Sequence, residues 1–191
     1  GCFVALFTLI AFFTQAETKL PSILGSHMVL QQGEACPIWG WDDAGTKVTV
    51  SFAGQTHTAK AGKDGRWQVS LTAMKANAKA ATLTVKGSST VKLEDVLVGE
   101  VWLCSGQSNM EWRVVQSANS KEEIANANHP LIRHIKIPHK LSPKPQDNVP
   151  SSGWQPCTPK VVANFTAVGY YFGRHLHKEL NVPIGLIGSN W

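Results

Sequence analysis

The sequence predicts an α/β protein in two parts, a β-sandwich module followed by the first part of a three-layer domain built on a parallel sheet. Three observations predict it. From about residue 20 to residue 93 the chain falls into short alternating runs separated by turn residues, the pattern of a small sandwich. Beyond residue 95 the order becomes strand, helix, strand, helix, strand, as parallel strands require because their connections must cross a face of the sheet. Between the two lies an apolar, β-branched run, Val96 to Leu103, that ends in Cys104-Ser105-Gly106-Gln107-Ser108-Asn109-Met110. The predicted division is 1–16, 17–95 and 96–191.

Hydrophobic content of 43% and charge of 16% describe a chain that folds around a core. The formal net charge is +5, but the basic residues are scattered and form no arginine-rich stripe, so nucleic acid is not an expected partner.

Residues 1–16 are almost wholly apolar and carry no charge. They are too few to span a bilayer comfortably, and they end in Thr14-Gln15-Ala16, with small residues where a signal peptidase reads. The segment is predicted to be a secretory signal, with the mature chain starting near Glu17. That implies a secreted or other extracytoplasmic protein with no membrane span after cleavage. Of four cysteines, Cys2 leaves with the signal. Cys36, Cys104 and Cys157 then allow at most one disulfide, with the pairing open, and Cys104 reads as a packed thiol at a strand end. No Cys-x-x-Cys pair points to zinc, and neither metal nor cofactor is expected.

In chain order, Met28-Val29-Leu30-Gln31 and Pro37-Ile38-Trp39-Gly40-Trp41 are short strands. Asp43-Ala44-Gly45 turns the chain into Lys47-Val48-Thr49-Val50-Ser51-Phe52, which alternates at the strand period, and Ala53-Gly54-Gln55 leads back through Thr56-His57-Thr58-Ala59. Lys63-Asp64-Gly65 precedes the strand Arg66-Trp67-Gln68-Val69-Ser70-Leu71. A further hairpin pairs 82–86 with 90–93 around Gly87-Ser88. Trp39, Trp41 and Trp67 are read as sandwich core, since each ring has a large apolar area to bury. A sugar-stacking platform is the competing role.

After the run 96–103, Met110 to Val115 is helix-compatible, and Ser120-Lys121-Glu122-Glu123 has the spacing of a capping box. His129-Pro130 stops that helix before the strand Leu131 to Ile137. A proline-rich stretch from 138 to 159 reads as a surface loop. A long helix follows, with Phe165, Val168, Phe172, Leu176 and Leu180 on one face, and Ile184-Gly185-Leu186-Ile187 is the next strand.

Ser108 is the candidate nucleophile. A strand that stops at glycine and turns into a helix leaves a hydroxyl residue beside N–H groups that have no intrahelical partner. Those groups and the helix dipole can stabilise a developing oxyanion. Most serines in such turns merely cap a helix, and more than the turn is needed. The longer string Gly99-Glu100-Val101-Trp102 into Ser105-Gly106-Gln107-Ser108-Asn109-Met110-Glu111-Trp112 resembles the first sequence block of the sialate O-acetylesterase family, of the SGNH type of serine esterases. The resemblance extends to Gly153-Trp154, to 165–174 and to 182–187, and more weakly to 20–40.

The resemblance implies a β-rich N-terminal domain and an esterase domain. It implies removal of acetyl groups from sialic acid or another acetylated carbohydrate through an acyl-serine on Ser108. It places Gly106, Gln107, Asn109 and Asn190 as candidates for the oxyanion or substrate pocket. Gln107 stands where the commoner block has aspartate, as in the sialate esterase branch. Asn109 is favoured as a local cap. The family's catalytic histidine and aspartate come from an Asp-x-x-His block near its C-terminus, and a glycine pair follows a tryptophan like Trp191. Neither feature is in these residues, so the resemblance implies an N-terminal portion that holds the nucleophile without its base. None of the seven histidines has a recognisable catalytic context, and His175 and His177 point to different sides of a helix. The competing function is a non-catalytic carbohydrate-binding module, resting on the N-terminal tryptophans.

Overall fold

The computed structural model describes residues 17–191, so the predicted signal segment lies outside the described residues. Six strands come first: β1 (Val29–Gln31), β2 (Cys36–Trp41), β3 (Lys47–Phe52), β4 (Gln55–Lys60), β5 (Arg66–Leu71) and β6 (Asn77–Lys86). In β3, Val48, Val50 and Phe52 face inward and the residues between them outward. The β3–β4 hairpin turns on Ala53 and Gly54, both at positive φ (47° and 81°), which matches the twist of the strands it joins. Strands β2 and β5 form a separate antiparallel pair.

Strand β7 (Thr90–Gly106) joins the two halves. It closes the predicted hairpin with β6 through Lys86↔Thr90, runs beside β1 at 97–99, and from Glu100 to Gly106 lies parallel to β10 (Ile184–Asn190). The sequence reads two strands here, 90–93 and 96–103; the structure has one. The joint is Asp95, which has φ of 56° and sits where the β6–β7 register slips by one residue. Such a bulge bends a strand without ending it. Beyond β10 follow β8 (His129–Lys136), parallel to it, and β9 (Gln155–Cys157), a short antiparallel edge within the stretch predicted as loop.

Three helices accompany this sheet: α1 (Ser108–Glu111), α2 (Ser120–Asn126) and α3 (Ala167–Leu180). Two cores result. One gathers Ile38, Val48, Val50, Leu71, Leu83 and Val96; the other gathers Val162, Tyr170, Ile132, Ile184 and Leu186. They are tied together by Arg133 of β8, which donates from Nη1 and Nη2 to both oxygens of Asp95 (2.6 and 3.1 Å). His27 Nδ1 lies 2.7 Å from the same carboxylate. Trp154, from the second half of the chain, packs into the first core and donates from Nε1 to Ile23 O at 2.8 Å.

Several expectations are corrected. The predicted stripe faces the core only in part: Phe165, just before α3, is buried and Leu176 packs half-buried against that core, but Val168 is 50% exposed, Phe172 40% and Leu180 51%. The buried face is Ala167, Gly169, Tyr170 and Gly173. A Cβ on Gly169 would come within 2.7 Å of Cys104 Sγ, and one on Gly173 within 2.9 Å of Leu186 Cδ1, so the helix lies close to the sheet through its glycines. The predicted helix 110–115 is one turn, followed by a 3₁₀ turn at Val114–Gln116. The predicted capping box does not form; Asn119 precedes α2 at φ 53°, and Glu123 accepts instead from Tyr170 Oη (2.6 Å) and pairs with Arg174. Cys36, Cys104 and Cys157 are buried free thiols. Burial pushes Cys104 up to about 11 and Cys157 up to about 12, so neither carries thiolate at neutral pH.

Candidate active site

The parallel strands β7, β10 and β8 all run the same way, and their C-terminal ends bring Gly106, Asn190 and Lys136 to one rim. Loops at that rim are where open α/β sheets place their sites. Gly106 ends β7 at φ 148°, and a Cβ there would come 3.2 Å from Met110 Cβ. The glycine thus permits the sharp passage from strand to helix. Gln107 is extended (φ −103°, ψ −150°) and makes no side-chain cap. Ser108 opens α1 and is exposed, as are Gln107 and Asn109. Glu111 N and Trp112 N return to Gln107 O and Ser108 O, closing the turn. The N–H groups of Ser108, Asn109 and Met110 stand in the first turn, ahead of any intrahelical partner. With one helical turn the macrodipole is small, so any anion stabilisation here comes from these local N–H groups.

Asn190 is buried, and its Nδ2 donates to Cys104 O at 3.2 Å. Its side chain pins the end of β10 to β7. Trp191 N donates to Gly106 O (3.0 Å), which extends the same pin by one residue. So the structure brings Gly106, Gln107, Ser108, Asn109 and Asn190 to one rim, with Asn190 beneath and the others on top.

Sequence reasoning finds no role for His139 and leaves Glu111 divided between lining the acyl pocket and packing against the loop above. Glu111 lies three residues after Ser108 on the same turn, hence on the same face. His139 Nε2 stands 3.0 Å from Glu111 Oε1 and 2.9 Å from Asn190 O. Both neighbours are acceptors, so Nε2 carries the proton and Nδ1 is left as the basic nitrogen. The ring stacks on Trp191 (centroids 4.4 Å apart, planes 2° apart), and Lys136 Nζ lies 3.7 Å from Glu111. Nothing in a one-residue context marks His139; only the fold carries residue 139 back over the end of β10. Among the described residues no histidine hydrogen-bonds to Ser108 Oγ, and no group of histidines, cysteines and carboxylates is arranged to hold a metal.

The arrangement is an exposed serine on a one-turn helix at the C-terminal rim of a parallel sheet. The crystal structure of a carbohydrate acetylesterase from Xanthomonas citri superimposes on this chain with a TM-score of 0.88 at 38% identity, over 92% of this chain and 40% of that one. In sequence, the chain is similar to the sialate O-acetylesterase of Homo sapiens, 34% identical over 193 residues, and to that of Rattus norvegicus, 34% identical over 194. Each match takes in 91% of this chain, which spans 37% and 35% of those relatives' lengths. No family model matches the chain. The resemblance read from the block around Ser108 therefore holds over nearly the whole chain, and the α/β fold with it.

Proposed function

We propose that this chain carries the nucleophile of a carbohydrate O-acetylesterase. The observation that carries the reading is the position of Ser108, exposed on a one-turn helix at the C-terminal rim of a parallel sheet, in a chain similar to esterases of that class. Ser108 Oγ attacks the acetyl carbonyl, giving its proton to a base, and the N–H groups of Ser108 and Asn109 stabilise the tetrahedral oxyanion. The sugar hydroxyl leaves with a proton, and water then hydrolyses the acetyl-serine to acetate. By resemblance the base belongs to an Asp-x-x-His block outside these residues. Acetylated sialic acid is the favoured substrate, and another acetylated sugar falls within the same class.

A serine-directed phosphonate should label the full-length protein at Ser108, and Ser108→Ala should lower acetate release by several orders of magnitude. Labelling at Ser105, or undiminished release by Ser108→Ala, overturns the assignment. Labelling that survives His139→Ala supports a base elsewhere, and labelling lost in that variant moves the base to His139.

The division at residue 95 and an extracytoplasmic location are part of the same reading. The separate core gathered under α3 supports the first, while Val96, Val98, Ile135 and Trp154 pack into the sandwich core across that boundary. The apolar, charge-free residues 1–16 support the second, and among the described residues no helix is long and apolar enough to cross a membrane. N-terminal sequencing of the exported protein should begin at Glu17; retention of residues 3–13 would overturn export by cleavage.

A further inference from the structure

The three tryptophans predicted as core are divided by the fold. Trp67 is buried at 3% exposure, whereas Trp39 and Trp41 are half-buried on the other face of the β2–β5 pair, with Trp39 still packed against the edge of the core. The alternation is strict. Cys36, Ile38 and Gly40 of β2 and Trp67, Val69 and Leu71 of β5 point inward, while Pro37 is exposed and Trp39 and Trp41 lie outward beside it. Directly across the ladder Trp39 faces Gln68, and Trp41 faces Arg66, both exposed. Two indole rings, two residues apart on one flat ribbon, thus sit beside an amide and a guanidinium.

These residues line a cleft of about 350 Å³, with Lys60 of β4 and Asp147 at its margin. Asp147 comes from the proline-rich segment and accepts from Arg66 Nη2 at 2.5 Å. The neighbouring residues hold that segment in place, through Asn148 Oδ1, which accepts from Ser22 N (2.8 Å), and through Val149 O, which accepts from Ser22 Oγ. The cleft therefore has a fixed wall.

We propose that this cleft binds a short stretch of glycan, independently of the chemistry at Ser108. A pyranose has apolar C–H faces and a girdle of hydroxyls. The cleft offers the complement, ring faces for the one and Gln68, Arg66, Asp147 and Lys60 for the other. An aliphatic ligand would desolvate Gln68 and Lys60 without pairing them and would bury the Arg66–Asp147 pair, which argues against it. A volume near the lower end of the range for ligand sites, about 300–1,000 Å³, fits one or two sugar residues. Lys60 has no carboxylate partner among the described ion pairs, so a sugar carboxylate is accommodated at that margin. Eight residues separate His139, at the Ser108 rim, from Asp147 in the cleft, so the two lie no more than about 30 Å apart. A glycan held by the tryptophans stays within reach of the rim.

The test uses the full chain carrying Ser108→Ala, so that no turnover is read. Native gels are cast with acetylated xylan, with a sialylated mucin, or with no polymer. Retardation by one of the polymers, weakened about tenfold in Trp39→Ala/Trp41→Ala and unchanged in Trp102→Ala, is the expected result. Gln68→Ala, an exposed site that leaves the ribbon intact, should weaken it several-fold and serves if the double variant fails to fold. No retardation by either polymer, or retardation indifferent to both Gln68 and the tryptophan pair, overturns the proposal. Altered migration without polymer that depends on the pair would make this a protein-contact face and overturn it equally. Because Ser108 is absent throughout, failure here leaves the esterase reading standing, and failure of Ser108 labelling leaves this one standing.

Discussion

His134 is held as a neutral ring. It lies on β8 at 6% exposure, against Phe165 at 4.3 Å between centroids, and its Nε2 has no hydrogen-bond partner. Burial pushes its pKa down to about 4. Unfolded, the same ring titrates near its ordinary value of about 6.5. Between those values the unfolded chain binds the extra proton, so stability falls as pH drops through that window. The loss from this residue is on the order of 3 kcal/mol. Urea denaturation at pH 7 and pH 4.5 should show a smaller acid loss in His134→Phe than in the parent, and an equal loss would refute the assignment. At this scale the nucleophile was legible in the sequence because a contiguous block carries it. Glu111 and His139 were not, since they are 28 positions apart and meet only after β8 and the following loop have returned the chain to the rim. The core reading of the tryptophans holds for Trp67 and in part for Trp39, which packs half-buried against the same core; for Trp41 period-two alternation gives the shared face with Trp39 but not how far it is covered.

At the scale of elements, periodicity located the strands and failed on α3, where the apolar stripe is the longest hydrophobic signal in the helix. Glycine counts for little in such a pattern, yet Gly169 and Gly173 decide which face can approach the sheet. The kink in β7 was equally hidden, because Asp95 at positive φ looks like the end of a strand. Its carboxylate has a further consequence. Arg133 is the first cause holding Asp95 below the usual carboxylate range, helped by His27, and the Arg133 side chain is only 5% exposed. Asp95→Ala leaves that guanidinium buried without its counter-charge and should cost about 3 kcal/mol or more. Asp95→Asn, which keeps an acceptor, should cost less. Thermal unfolding of the two variants checks the order, and equal melting temperatures would show that Arg133 finds another partner.

At the scale of the molecule, the parallel half is uncovered on one side. From Glu100 to Gly106 the only strand beside β7 among the described residues is β10; on the other edge Val101 N donates to Gln31 Oε1 (2.8 Å), and beyond it the backbone groups have no strand partner. Trp102 (43% exposed) and Leu103 (65%) lie along that stretch, and Trp102 meets Phe172 of the exposed α3 stripe edge-on at 5.0 Å. Trp102, Phe172 and Val168 are thus exposed on the α3 side of the sheet and Leu103 on the opposite face, both next to an open strand, a combination that templates pairing between chains. A protein of these 191 residues should therefore associate as its concentration rises, by sedimentation velocity. A lysine at an edge position disfavours strand addition because its charge would be buried between the paired chains. Leu103→Lys should accordingly shift the population toward monomer, while Leu141→Lys, at a still more exposed leucine in the proline-rich segment, should leave it unchanged. If Leu103→Lys associates as readily as the parent, the contact lies elsewhere. The tryptophan face of β2 would then be the next surface to test, with Trp39→Ala/Trp41→Ala in the same sedimentation experiment.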